Sequence, residues 1–307
     1  MNLDTLTGAV DDAAGHLAAL DSRFLLAALG LQLLGLVLRA LAWRGVLAGA
    51  YPARRIPART VGIAYVVGVA LNAFMPARGG ELAKIAIVRA RIPGTTVPTI
   101  AGSMTVLLVL DAVVGSSLVL ALWSTGSIPA LPTPSGIGPV GIGVAALVAA
   151  ALGIGYRLRP ELVRRTASRA VQGFAVLRTP GRYLATVVPF QLAAWGCRIG
   201  VVFLVLSAFN IDASLQMAAL VVVLSGVATA TPVPGGAGTQ QVLATYALHG
   251  VVSVATAVSF SVSMQVGITA VNTTVGLVAL MLLFRTARPL AAMSSARSLV
   301  ARSRSGA

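Results

Sequence analysis

Arg78, Glu81 and Lys84 stand three residues apart in an otherwise apolar chain, and that spacing limits what they can do together. On a helix, residues three apart share a face, so Glu81 and Lys84 are placed to pair. A guanidinium such as that of Arg78 can grip a phosphate through two parallel hydrogen bonds. Glu81 is a candidate carrier for a coupled proton, because removal from water favours the protonated form of a carboxyl. Asp111 and Arg198 fall near the middle of two long apolar runs, where charges are costly and face either a partner or a cavity. They can neutralise one another or meet a substrate, whereas Arg39, nearer the end of its run, is expected to reach for the membrane surface. This is chemistry for holding an anion, with little sign of catalysis. His16 and His249 are far apart, Cys197 is the only cysteine, and no Gly-x-Ser-x-Gly, His-Glu-x-x-His or phosphate-loop pattern occurs. Neither an enzyme nor a cofactor is expected.

The elements that carry these groups must cross or enter a bilayer. The 307 residues are 57% hydrophobic and 10% charged, with a mean hydropathy of +0.90, which describes an all-α polytopic membrane protein. Apolar segments cover 24–43, 60–77, 98–123, 138–155, 183–208, 215–231, 237–250 and 252–284. About 20 apolar residues span a bilayer core, so 237–250 is too short to cross alone, and 60–77 and 215–231 are borderline. The formal charge of +15 comes almost entirely from arginine. In a soluble protein it would suggest nucleic acid. Here the arginines lie between apolar segments, where they orient the chain and meet anionic headgroups, so no nucleic acid is expected. The first residues lack the basic, then apolar pattern of a cleaved signal, and the N-terminal segment 1–23 is expected to be retained.

Arginine placement suggests a topology, because cytoplasmic loops carry the excess of basic residues. The loop 156–182 holds Arg157, Arg159, Arg164, Arg165, Arg169, Arg178 and Arg182, and reads as cytoplasmic, with an amphipathic surface helix as one form it can take. The chain then divides into a first membrane half, 24–155, and a second, 183–285, followed by a cytoplasmic basic tail, 286–307. The N-terminus is expected outside and the C-terminus in the cytoplasm. Arg44, Arg54, Arg55 and Arg59 on one side, and Arg89 and Arg91 on the other, place both ends of 60–91 in the cytoplasm, so this stretch is expected to enter and turn back.

The turn would fall at Pro76-Ala77-Arg78-Gly79-Gly80-Glu81, which has a near copy 156 positions later (232 − 76) at Pro232-Val233-Pro234-Gly235-Gly236-Ala237. Broken helices at membrane depth survive only where protein or a water-filled cavity surrounds them, and a pair in corresponding halves of a chain points to a transporter's binding site. The expected architecture is an inverted repeat with two re-entrant or broken helical hairpins. Ordinary kinks in seven or eight full spans are the alternative. Gly235 and Gly236 permit close backbone approach, and the helix expected from Thr239 could present amides to an anion, with Gln240 and Gln241 beside it.

These motifs also carry a family resemblance. Asn72 through Glu81 with Lys84 resembles the Asn-x-x-x-Pro-x-Arg-x-Gly-Glu-x-x-Arg/Lys pattern of the lysylphosphatidylglycerol synthase transmembrane family, also called flippase-like membrane proteins. The second motif, Pro232 to Gly238, resembles that family's Pro-x-x-Pro-Gly-Gly-x-Gly signature. The match covers about residues 20–285. It implies translocation of a lipid or lipid-linked substrate, without the aminoacyl-transferase domain that some members carry. Three departures stand out. Leu107 and Leu108 replace a Glu-Arg pair often found before the aspartate matched by Asp111. Gln241 replaces a glutamate and Gln265 an arginine, a joint neutralisation that avoids an unpaired buried charge.

The expectation is a lipid flippase of the cytoplasmic membrane. Asn72, Arg78, Glu81, Lys84, Asp111, Arg198, Gly235, Gly236 and Gln241 would bind a phospholipid or polyprenyl-linked lipid in an alternating-access site. A membrane-embedded lipid-modifying enzyme, with Glu81, Asp111 and Arg78 as its polar groups, is the alternative from another class. A third is a non-transporting scaffold for a lipid- or glycan-modifying enzyme partner.

Overall fold

The computed structural model describes residues 21–75, 79–126, 168–228 and 238–284. Segment 138–155, the first part of the loop 156–182, both Pro/Gly tips (76–78 and 229–237) and the basic tail lie outside them. Among the described residues the protein is all-helical, as hydrocarbon demands of a chain that must pair its own backbone. The nine helices described here, in chain order, are α1 (Ser22–Ala50), α2 (Ala58–Asn72), α3 (Gly80–Arg91), α4 (Val97–Ser124), α5 (Pro180–Thr186), α6 (Val188–Ala208), α7 (Leu215–Ala228), α8 (Thr239–Ala247) and α9 (Val254–Phe284).

Among the described residues, four stretches are long and apolar enough to cross a membrane: α1, α4, α5 with α6, and α9. At 1.5 Å per residue, the 29 residues of α1 reach about 44 Å, well beyond a hydrocarbon core of about 30 Å. Asp21 caps α1 by accepting from the Arg23 N–H, and Thr96 caps α4 by accepting from Thr99 N–H. The helix expected over 24–43 continues past Arg44 to Ala50. Arg44 does not end it because its Nε donates to the Ile56 carbonyl, turning the charge back onto the chain. The stretch from Pro180 is interrupted at Val187, where Pro189 has no N–H to continue the ladder from α5 into α6.

The remaining helices are short. The 15 residues of α2 extend about 22 Å and the 12 of α3 about 18 Å, so neither matches the core thickness. The 14 residues of α7 and nine of α8 are shorter than a span for the same reason. The Arg54 side chain, just before α2, donates to the Pro93 carbonyl, just after α3. The outer ends of the two helices therefore lie together, and α2 and α3 pack side by side as a hairpin. Arg91 donates to the Leu283 carbonyl at 2.8 Å, which places the end of α9 at the same basic end of the bundle. The order long, short, short, long thus occurs twice.

α1 and α6 form the most extensive helix pair, and α2 packs against α9. Two apolar cores result. One is built from α1, α2 and α3 with the last turns of α9, and the other from α6, α7 and α8 with the earlier turns of α9 and Leu122 of α4. The end of the basic loop is docked onto protein. Gln172 donates to the Ala50 carbonyl, the Thr99 hydroxyl donates to the Arg169 carbonyl, and buried Val176 packs between α1 and α4. These bonds hold residues 168–178, which are helical at 168–172 and form a 3-10 turn at Ala175–Arg178, against the helix ends.

Candidate functional site

The first polar cluster depends on two glycines. A Cβ on Gly80 would stand 2.0 Å from the Gly68 carbonyl oxygen, and one on Gly68 would stand 2.3 Å from Lys84 Cγ. Without side chains at these positions the α2 and α3 backbones touch, as small residues allow in membrane helix pairs. That approach brings Asn72 to the start of α3. Its Oδ1 accepts from the Gly80 N–H at 2.8 Å, satisfying one of the free donors at the helix start. Its Nδ2 donates to Glu81 Oε1 at 3.1 Å, and Lys84 Nζ reaches the same oxygen at 2.9 Å. The predicted pairing of Glu81 and Lys84 is present. Lys84 is buried and its ammonium lies 4.5 Å from the centre of the Tyr65 ring, a cation–π contact.

Tyr65 links this cluster to a second one, because its hydroxyl lies beside the Arg39 guanidinium. Arg39 Nη2 is 3.6 Å from Asp111 Oδ1, and that oxygen also accepts from Gln191 Nε2 at 2.6 Å and Trp195 Nε1 at 2.7 Å. Polar groups therefore run from Asn72 through Glu81, Lys84, Tyr65 and Arg39 to Asp111, joining α1, α2, α3 and α4, with Gln191 and Trp195 arriving from α6. The ionisable side chains are not sealed: Glu81 is 33%, Asp111 28% and Arg39 24% accessible. Arg39 Nη2, apart from its ion pair with Asp111, and Gln191 Oε1 are buried without a hydrogen-bond partner.

Arg39 thus does not reach for the surface, as its position in the sequence suggested. Asp111 draws it inward, and an ion pair with two further donors on the carboxylate outweighs the pull of the interface. Arg198 has its guanidinium carbon 5.8 Å from the Trp195 ring centre, so it borders the same cluster through that indole. The model of the lysylphosphatidylglycerol synthase TM region matches residues 10–276. The chain belongs to that family. Among curated proteins no relative matches it.

Three further contacts add to the polar interior of this member of the family. Gln241 Nε2 donates to Gln265 Oε1 at 2.6 Å, bringing together the two positions at which the resemblance implied a charged pair. Gln241 Oε1 also accepts from the Gly238 N–H at 2.6 Å, closing the first turn of α8, and Gly238 takes a φ of +81° that suits glycine. Gln32 Nε2 donates to Asn272 Oδ1 at 3.0 Å, tying α1 to α9. Arg78, Gly235 and Gly236 lie outside the described residues.

Sequence reasoning passed over Gln32, Tyr65, Gln191, Trp195 and Asn272. A signal for part of this set was available. Gln32-Leu33 is followed by Arg39 as Gln191-Leu192 is followed by Arg198, 159 positions later (191 − 32). The contacts they make are reciprocal: the glutamine of α1 meets Asn272 near the middle of the second half's last helix, and that of α6 meets Asp111 near the middle of the first half's last helix. Nothing comparable announced Tyr65, an aromatic in an apolar helix, because only the fold places it between two cations.

Proposed function

We propose that this protein moves an anionic lipid, or a lipid-linked anionic headgroup, across the cytoplasmic membrane by alternating access. The observation that carries the reading is the continuous polar chain from Glu81 to Asp111, partly accessible and joining the short helices α2 and α3 to α1 and α4, two of the helices long and apolar enough to span a membrane. Ionisable groups at such depth are costly and characteristically line a substrate or ion path. Lys84 and Arg39 supply donors for a phosphate, while Glu81 and Asp111 balance them when the site is empty. An entering phosphate takes Lys84 and Arg39 from their carboxylates. Arg78, which the sequence places between α2 and α3, would add a guanidinium.

In this reading α2 with α3, and α7 with α8, are re-entrant pairs belonging to two inverted halves. The common basic end shared by α2, α3 and α9 supports entry and return from one face, which the excess of arginine assigns to the cytoplasm. Headgroups occupy the polar chain while hydrocarbon tails stay in the lipid, and rocking of the halves exposes the site to each face in turn. The test is lipid movement in proteoliposomes, following headgroup-labelled phosphatidylglycerol, phosphatidylethanolamine and a polyprenyl phosphate. Movement by the parent protein that is lost in Lys84→Met and Arg39→Gln, with folding retained, supports the site. Folded protein that moves none of the three sinks the transporter reading and favours a lipid-modifying enzyme or a scaffold.

A further inference from the structure

Tyr65 of α2 is buried where α1 and α3 meet its helix, and each neighbour brings it a different chemistry. From α1 come Arg39 and Trp43, four residues apart and therefore on one face. The Trp43 and Tyr65 rings pack with their centroids 6.5 Å apart at a tilt of 54°. Trp43 is itself fixed. Its Nε1 donates to the Ser103 hydroxyl at 3.0 Å, and that hydroxyl donates to the Ile100 carbonyl at 2.6 Å, so α4 holds the indole. From α3 comes Lys84, whose stem crosses Gly68: a Cβ there would stand 2.3 Å from Lys84 Cγ and 2.5 Å from Cε. The ammonium then ends 4.5 Å from the centre of the Tyr65 ring. Tyr65 and Gly68 are three apart on α2, so one face of that helix both clears a path for the lysine and receives its charge.

The ring and the hydroxyl have separate work. Packing on Trp43 and the cation–π contact with Lys84 need only an aromatic face, which phenylalanine would supply equally. The phenol oxygen lies beside the Arg39 guanidinium. A guanidinium has donors and no acceptor, so the oxygen turns a lone pair to Arg39 and its own proton points elsewhere. Among the described residues no hydrogen-bond acceptor takes that proton. A hydroxyl whose oxygen faces a cation is polarised into a stronger donor, and charge-assisted donors of this kind suit an anionic oxygen.

We infer that Tyr65 is a ligand-contacting residue of the polar site: its O–H donates to an anionic oxygen of the headgroup held by Lys84 and Arg39, while its ring and oxygen keep those two cations in one arrangement. This rests on the reading of that cluster as an anion site. A neutral donor adds a hydrogen bond without adding a buried charge that Glu81 or Asp111 would have to balance in the empty site. Because the same phenol meets Arg39 and the ligand, losing the hydroxyl and losing the guanidinium are not independent events.

The experiment is native mass spectrometry of the detergent-solubilised full protein, titrated with phosphatidylglycerol and with a polyprenyl phosphate, reading the affinity for the first lipid bound. Tyr65→Phe is expected to weaken binding of at least one lipid several-fold, with a melting temperature close to that of the parent. Combined with Arg39→Gln, it should weaken binding by clearly less than the product of the two single losses. Lys84 is the only lysine in the chain, so it gives a readout that requires no lipid. Its acetylation by an amine-reactive ester, followed on the Lys84 peptide, should run several-fold faster in Tyr65→Leu, which loses the ring, and at the parent rate in Tyr65→Phe, which keeps it. Unaltered binding in Tyr65→Phe, losses that multiply in the double variant, or a parent protein that binds neither lipid saturably overturns the inference. Lys84 acetylation indifferent to Tyr65→Leu also overturns it, as does a Tyr65→Phe protein that melts well below the parent, since its hydroxyl would then be structural. Binding of the expected pattern without movement of either lipid in vesicles sinks the transporter reading and leaves Tyr65 in its role. Lipid movement indifferent to Tyr65→Phe does the reverse.

Discussion

The two halves share an order of elements but differ in their charge. In the first, Glu81, Lys84, Arg39 and Asp111 form a linked set of two carboxylates and two cations on α1, α3 and α4. In the second, Arg198 is the counterpart of Arg39 and lies over Trp195, while amides meet elsewhere: Gln241 with Gln265 within that half, and Asn272 with Gln32 of the first. Desolvating a charge costs far more than desolvating an amide, and the excess is recovered only through close pairing. An amide pair can therefore hold helices together at little risk, whereas a charged set that is also partly accessible carries a cost that function explains better than stability does. On the proposed function, the second half is mainly frame and the first half mainly site.

The largest way to break this contrast is Lys84→Met. It leaves Glu81 without its ammonium and should abolish lipid movement. Loss of one partner of a buried ion pair costs about 3–5 kcal/mol, and the accessibility of Glu81 should bring this to about 2 kcal/mol. Denaturation in detergent checks the second figure. The double variant Lys84→Met with Glu81→Leu should regain most of the stability and none of the transport, which separates the two roles.

Asp111→Asn comes next. It removes the counter-charge of Arg39 while keeping an acceptor for Gln191 and Trp195, so transport should fall by about tenfold or more, equivalent to about 1.4 kcal/mol, with a smaller change in melting temperature. The same measurement on Asn272→Ala should show little change in transport. Equal losses in the two variants would erase the distinction between the halves.

Gly80→Ala tests the frame beneath the site. Its methyl would collide with the Gly68 carbonyl and force α2 from α3, a change of about 1–3 kcal/mol by analogy with overpacked cores. The nearly unstrained reference is Gly62→Ala, which meets open space. The smallest effect is expected at Gln241 and Gln265, where a double-mutant cycle to alanine should give a coupling of about 0.6 kcal/mol, the average for such bonds between membrane helices. Gln241→Glu alone should destabilise more than the alanine variant, and adding Gln265→Arg should restore it.

Much of the frame was legible because hydrocarbon leaves a chain few choices. Runs near 24–43, 98–123, 183–208 and 252–284 became long helices, and the two Pro/Gly breaks divided short ones. Glu81 and Lys84 could be paired from sequence since a spacing of three on a helix defines their distance. Gln241 and Gln265 were linked by their joint neutrality. Arg39 was misread because its distance from a helix end says nothing about which way that face of α1 turns.

The amino-acid sequence by itself determined the membrane class, the helical state of the spans, the doubled order of elements and the local Glu81–Lys84 pair, each through a rule that acts within a few residues or on composition. Tertiary structure alone decided that Asp111 takes Arg39, Gln191 and Trp195, that Tyr65 stands between two cations, and that Gln32 answers to Asn272. Those contacts join helices far apart in the chain. Their formation depends on how each helix rotates when small residues such as Gly68 and Gly80 let backbones approach, and no spacing along one helix encodes that rotation.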